Sequence, residues 1–518
     1  MIGIGDGDGL LPILVLKNQK SVEKMNQSKI YLDECASYAH EAYQFLKSTT
    51  VEQRYRFMHA VANRIEALED HLLHTANQET SLPLARLSGE KARTVGQWRS
   101  YANAMRTGVY TEARIDLANV EKAKNDIRKY NVGIGPVLVF GASNFPFAFS
   151  TAGGDTASAI AAGCPVIVKG HQGHEQTSMI MARVITSVVN EFGWPKGVFR
   201  HVIGNNVEGT NQRVGAYLTA HPYIKAVGFT GSFAGGKALF DLANQREEPI
   251  PVFAEMGSVN PVFAFSNKLN QSAPSLAKEY ATSLTLGVGQ FCTNPGIFIA
   301  VKSEGFDSFK EALAIEIANA LPAHMLNAGI YSHFEKGVKE LSAHDAVSVF
   351  AQSSTSAVEG QGRPMVLQTS ASNFLKNKIL SEEVFGPFAL LVEADSYTQV
   401  LEIANQLKGQ LTITIAATLE DVVEHLDIFN SVKDKAGRLL FNGMPTGVEV
   451  VFAMQHGGPY PSCTDSRFTS VGPDAVKRFV RPIAFQNWPN ELLPEELKNE
   501  NKLGITRIVD AVSTNGSI

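Results

Sequence analysis

Pro136-Val137-Leu138-Val139-Phe140, then Pro165-Val166-Ile167-Val168-Lys169, then Ile224-Lys225-Ala226-Val227-Gly228-Phe229: these apolar runs and the stretches between them decide the fold. Unbroken apolarity over four residues, rather than alternation, marks a strand covered on both faces. Asp155 to Ala162 is a small-residue helix, Ser178 to Phe192 is a second helix, and Val198 to Ile203 reads as a further strand. Alternation of buried strand and helix implies a parallel, doubly wound sheet.

Working outward, residues 29 to about 107 read as helices. Cys35, Tyr38, Ala42, Phe45 and Leu46 recur at helical spacing, and Phe57, Val61, Ile65 and Leu68 do so again. Ile115-Asp116-Leu117 and Ile127 to Val132 flank a charged stretch and read as a hairpin. A second α/β block runs from Val252 to about Ile428. Arg438 to Asn442 reads as a strand returning to the first module, and Phe479 to Phe485 as an edge strand. The expected organisation is a tail at 1–28, a first domain at 29–251 carrying the hairpin 115–133, and a second at 252–435. A return segment at 436–475 and a strand with a C-terminal tail at 476–518 complete it.

A chain of 518 residues is too long for one simple core, so two or three domains are expected. Lys and Arg number 46 against 51 Asp and Glu, a net charge of −5, which argues against a nucleic-acid partner or a polybasic membrane patch. Cys35, Cys164, Cys292 and Cys463 show no CxxC spacing. They form neither a disulfide framework nor a zinc site and fit a reducing cytoplasm. No apolar stretch approaches the ~20 residues of a membrane span. Leu10 to Leu16 is short and preceded by Asp6 and Asp8, so it reads poorly as a signal peptide; Met25 is an alternative start.

Chemistry concentrates in Gly287-Val288-Gly289-Gln290-Phe291-Cys292-Thr293-Asn294-Pro295-Gly296. Small and turn-forming residues let the backbone approach a ligand and present one thiol to it, which makes Cys292 a candidate nucleophile. Upstream, Phe253-Ala254-Glu255-Met256-Gly257 offers one carboxylate in uncharged company. Such a carboxylate is expected to have a raised pKa and to act as a general base.

Six motifs now stand in one order: Ala142-Ser143-Asn144-Phe145-Pro146, Val168-Lys169, Gly228-Phe229-Thr230-Gly231-Ser232, Glu255-Met256-Gly257, Gln290-Phe291-Cys292 and Glu383-Val384-Phe385-Gly386-Pro387. Each is weak alone, but together they cover nearly the whole chain, which resembles the NAD(P)-dependent aldehyde dehydrogenase superfamily. Gln455 to Pro461, Thr464-Asp465, Ser470-Val471-Gly472 and Gly257 to Pro261 narrow the resemblance. They are similar to the branch of 2,5-dioxovalerate (α-ketoglutarate semialdehyde) dehydrogenases and NADP-preferring bacterial fatty aldehyde dehydrogenases. The resemblance implies two doubly wound parallel-sheet domains plus a small β oligomerisation element, and a homodimer or homotetramer. It implies Cys292 as nucleophile, Glu255 as base and Asn144 as oxyanion donor. Lys169, Gln172, Gly228, Gly231, Ser232, Glu383 and Phe385 are implied at the cofactor.

Gln172 stands where the family commonly has a Glu gripping the adenosine ribose. A neutral side chain does not repel a 2′-phosphate, so NADP is favoured with NAD possible. Arg213 and Lys237 are candidate phosphate partners. His456 has two open readings, tuning of Cys292 or shaping of the substrate mouth. His171, His174 and Glu175 lack a fourth ligand and read as surface residues, so no metal is expected. A cofactor-free Cys hydrolase using Cys292 and His456 is the competing enzyme class, disfavoured by the dinucleotide-like module. A non-enzymatic role is disfavoured by Cys292, Glu255 and Asn144 occurring together. Glu255 also favours thioester hydrolysis over transfer to coenzyme A.

Overall fold

The computed structural model describes residues 27–518. The expected tail and Met25 therefore lie almost wholly outside the described residues. Four helices come first: Lys29–Ser48, Val51–Glu66, Asp70–Thr80 and Leu84–Thr107. The first packs against a five-stranded parallel sheet, and the other three pack on helices Gly154–Ala161 and Glu175–Glu191, which cover that sheet; its spatial order is Phe199–Val202, Val166–Lys169, Val137–Phe140, Ala226–Thr230, Val252–Glu255. The strands Val137–Phe140 and Val166–Lys169 are buried through three residues and emerge only at the fourth. The apolar runs thus anchor each strand, and the first residue to escape the core stands at the carboxyl end. Strand order reverses beside Val137–Phe140, which opens a crevice at those ends.

The second sheet has seven strands, in the order Ser348–Gln352, Met365–Ser370, Phe388–Ala394, Ile297–Val301, Val262–Ala264, Gln410–Ala416, Ala436–Phe441. Only the first of these runs antiparallel. A third, small sheet joins Arg114–Asp116, Ile127–Gly133, Val480–Gln486, Arg507–Val509 and Val512–Thr514. Each large sheet has an apolar cluster on both faces.

Two expected boundaries move. Val252–Glu255 pairs with Ala226–Thr230, so the first sheet extends through Glu255 rather than ending at 251. Ala436–Phe441 pairs with Gln410–Ala416 and belongs to the second sheet, so the return to the first module begins after Phe441. The reason is the same at both places: an apolar run reports burial in a sheet, not which sheet buries it. The last strands of the small sheet, within the expected tail, were not anticipated.

Candidate active site

Glu255 ends the fifth strand of the first sheet, and Cys292 lies in the loop leading into Ile297–Val301 of the second. The return segment brings His456 between them. His456 Nε2 stands 3.5 Å from Cys292 Sγ and 3.0 Å from Glu255 Oε1. The reactive atoms of all three side chains lie within 4.8 Å of one another. Glu255 and His456 are buried, while Cys292 is partly open. The Ser470 hydroxyl donates to Glu255 Oε2 at 2.6 Å. The contact at Oε1 lacks hydrogen-bond alignment, so this oxygen keeps accepting capacity.

Burial pushes the Glu255 carboxyl up, as expected from its apolar flanks, but His456, Ser470 and Cys292 together outweigh burial and hold it below its ordinary value. The expected raised pKa is therefore corrected: the polar partners that oppose burial arrive from the return segment, roughly two hundred residues away, not from the local sequence. The Cys292 thiol moves the opposite way. Burial, then the adjacent Glu255 charge, push it well above its ordinary value, so the resting group is a thiol.

Asn144 is buried and donates its side-chain amide to the Gln290 carbonyl at 3.1 Å, two residues before the nucleophile. The backbone N–H of Cys292 has no protein acceptor among the described residues. The loop is held by buried Asn260, whose amide donates to the carbonyls of Cys292 and Asn294, each at 2.9 Å. Gly289, at φ 64°, lies so close to the Gly386 carbonyl that any side chain there would collide with it. This close approach brings the Cys292 loop against the Glu383–Pro387 loop.

Lys169 emerges at its strand end, where burial lowers its ammonium pKa, Glu175 raises it and Arg213 lowers it further. Gln172 is exposed in the following loop. Arg213 lies close enough to act on Lys169, whereas Lys237 is tied to Asp241 one helical turn on. Ser232 caps helix Phe233–Asn244, accepting from the Gly235 N–H. Gly235 and Gly236 thus belong to the first helical turn, not to a continued loop. The N–H groups of Phe233 and Ala234 find no acceptor among the described residues. Gly231 donates its N–H to the Glu255 carbonyl. Gly228 sits inside its strand, where its missing side chain leaves room for Asp155.

Glu383 and half-buried Phe385 line a small cavity with Ser258, Val259 and Asn294. The Glu383 side chain is open to the cleft, but its carboxyl tip crowds Gly257 and desolvation there pushes it up to about 7. His174 corrects another expectation. It is fully buried, with Nε2 2.9 Å from the Ala142 carbonyl, and is not a surface residue.

Missed by the sequence reading were the roles of Ser470, Asn260, Arg86 and Arg93. The last two carried a signal: Arg86, Glu90 and Arg93 recur at helical spacing on Leu84–Thr107, a polar stripe where a core-facing stripe would be apolar.

A partly open thiol in contact with a buried imidazole and carboxylate thus lies where two doubly wound sheets meet, the first with a crevice at its carboxyl strand ends. The aldehyde dehydrogenase family model matches residues 17–482, and the chain belongs to that family, NAD(P)-dependent oxidoreductases acting on aldehydes. It is 45% identical over 494 residues to an alpha-ketoglutaric semialdehyde dehydrogenase of Acinetobacter baylyi, covering 94% of this chain and 93% of that one. It is 42% identical over 482 residues to alpha-ketoglutaric semialdehyde dehydrogenase 2 of Azospirillum brasilense, covering 92% and 91%. Among solved structures, a glyceraldehyde-3-phosphate dehydrogenase of Methanocaldococcus jannaschii complexed with NADP superposes with a TM-score of 0.74 at 16% identity. That match covers 90% of this chain and 96% of the other, and speaks for the fold. No helix among the described residues is long and apolar enough to cross a membrane.

Proposed function

We propose that the chain oxidises 2,5-dioxopentanoate, the semialdehyde of α-ketoglutarate, to 2-oxoglutarate in the cytoplasm, with NADP or NAD as acceptor. The observation that carries the chemistry is the contact of Cys292, His456 and Glu255. The substrate is supported by the two relatives above 40% identity.

Because the resting thiol is protonated, attack requires its proton to leave. Glu255, kept ionised by His456 and Ser470, takes it, directly or across His456 Nε2. Cys292 Sγ then bonds to the aldehyde carbon, and the carbonyl π pair moves onto oxygen. The Asn144 amide and the Cys292 N–H stand ready for that oxyanion; each such donor lowers the barrier by about 3 kcal/mol. A bound NAD(P) would supply the hydride acceptor, and loss of hydride from the tetrahedral carbon would leave a thioester on Cys292. Glu255, after releasing the thiol proton to solvent, takes a proton from water; the hydroxide adds to the thioester carbonyl, the C–S bond breaks, and the Cys292 thiolate regains the proton from Glu255 as the carboxylate leaves.

The residues fit the dinucleotide. The orphaned N–H groups opening helix Phe233–Asn244 suit a pyrophosphate, with Gly231 and Ser232 at the approach. Lys169 and Glu383 would hold the riboses and Phe385 would pack by the nicotinamide. Neutral Gln172 and the cation of Arg213 near Lys169 suit a 2′-phosphate. The small sheet ends in Val480–Gln486, paired on one side only among the described residues, which suits assembly into a homodimer or homotetramer.

Pure protein given 2,5-dioxopentanoate and NADP is expected to produce reduced nicotinamide, read by its absorbance. No rise sinks the assignment, and faster turnover of dodecanal transfers it to aliphatic aldehydes.

A further inference from the structure

Beside the Cys292 and Asn144 segments stand two arginines that the reaction chemistry leaves unused. Arg86 and Arg93 stand two turns apart on one face of helix Leu84–Thr107. They rest on a frame of three rings. Phe145 packs edge-on against Phe291 at 5.6 Å and Phe149 at 5.3 Å. Arg86 lies 4.9 Å from the centres of both Phe145 and Phe291. Arg93 lies 5.4 Å from Phe149, whose ring is in turn 6.2 Å from that of His456. Phe145 follows the oxyanion donor Asn144 and Phe291 precedes Cys292, so both cations border the reacting atoms. Arg86 Nη2 also donates to the Asn144 carbonyl at 2.7 Å.

Their hydrogen-bonding capacity is largely unspent. Arg86 Nη1, Arg93 Nε and Arg93 Nη2 are buried without an acceptor among the described residues. Such groups are costly unless something pairs with them. The neighbouring carboxyl is Glu90, whose Oε1 accepts from the N–H groups of Phe147 and Ala148 while its Oε2 is likewise buried without a partner among the described residues. Glu255 Oε2 accepts from Ser470, and His456 stands against its Oε1. The carboxylates of Glu90 and Glu255 act on these cations, but neither is hydrogen-bonded to either guanidinium. Arg438, another cation near Cys292, gives its Nη atoms to the carbonyls of Gly447 and Pro445 and holds the return segment instead.

We propose that Arg86 and Arg93 form a carboxylate subsite that selects aldehydes carrying a carboxylate at the end remote from the reacting carbon. A guanidinium fork matches a carboxylate in two parallel hydrogen bonds, and a desolvated site strengthens them. This rests on reading the Cys292 pocket as the aldehyde site and adds the class of aldehyde it takes.

The test compares 5-oxopentanoate with its methyl ester, equal in chain length and different in charge. The wild-type kcat/KM should favour the acid by about 100-fold or more, since a site built for a polar group rejects the analogue lacking it. In Arg93→Met and Arg86→Met that preference should collapse toward unity, through a raised KM for the acid, and Arg93→Lys should fall between. A wild-type enzyme indifferent to acid or ester overturns the proposal even where no variant folds. An undiminished preference in both Met variants overturns it as well. A wild-type enzyme that prefers the acid but ignores 2,5-dioxopentanoate keeps the subsite and retires only the substrate named above.

Discussion

Two cysteines flank one carboxylate. Cys292 lies in the loop facing Glu255, and Cys463 pairs its backbone with that of Glu255 in an antiparallel bridge. Both thiols are pushed up, by burial first and then by the Glu255 charge. Thiol acidity therefore does not distinguish them. Surroundings do: Cys292 is partly open, has the His456 ring at 3.5 Å and an unused backbone N–H of its own, whereas Cys463 is buried, its sulfur packed close to Gly457. The lesson is that a nucleophile is made by access, a proton acceptor and oxyanion donors acting on the same atom, and not by a nearby carboxylate alone.

The largest expected effect breaks the pair apart. Cys292→Ala should lower kcat by about 10⁴-fold or more, as removal of a covalent nucleophile does. Iodoacetamide followed by peptide mass mapping should label Cys292 ahead of Cys463 in the native enzyme. Preferential labelling of Cys463 would reverse the comparison.

A smaller effect sharpens it, through His456, which only Cys292 has beside its sulfur. His456→Gln should cost about 100-fold in kcat/KM near neutrality, the low end of the ~10²–10⁴ range of a lost acid–base group, since Glu255 remains. The pH dependence gives the sign. In the wild type His456, Ser470 and Cys292 together outweigh burial and hold the Glu255 carboxyl below its ordinary value, so this carboxylate stays ionised down to that lowered value. The stability that the pair contributes is present above the ordinary carboxylate range and is lost as pH falls through the folded value. Without His456, burial acts with less opposition and the carboxyl rises. The acid limb of kcat/KM should move to higher pH, and a rate loss with an unmoved limb would leave His456 as a wall of the substrate mouth.

The same contrast separates what was legible in sequence from what was not. Strands 137–140, 166–169 and 226–230 announce themselves because their first three residues are buried and non-polar. Cys292, Glu255 and Asn144 could be read because each sits in a short motif whose order along the chain is informative. Glu255 misled on its pKa because Ser470 and His456 approach from more than two hundred residues away, and composition near Glu255 carries no trace of them. The strand Ala436–Phe441 was assigned to the wrong sheet for a related reason: register with Gln410–Ala416 is a tertiary fact. Arg86 and Arg93 are the middle case. Their helical spacing was visible, but the ring frame that sets a polar stripe beside the nucleophile loop is assembled from three separate segments.

The smallest effect tests the other cysteine. Cys463 is 7% exposed, its backbone bridges to Glu255, and Met256 donates its N–H to the adjacent Ser462 carbonyl. The backbone contacts that place Glu255 do not depend on the sulfur. Cys463→Ala keeps them and removes one packed atom, leaving a void smaller than a Leu→Ala cavity. A loss of roughly 1–2 kcal/mol in unfolding free energy by urea titration is expected, toward the low end for large-to-small core changes. The kcat should stay within about twofold of wild type. If instead turnover falls tenfold at unchanged stability, the Cys463 sulfur acts on Glu255 through its field rather than through packing, and the distinction between the two thiols would then be one of degree.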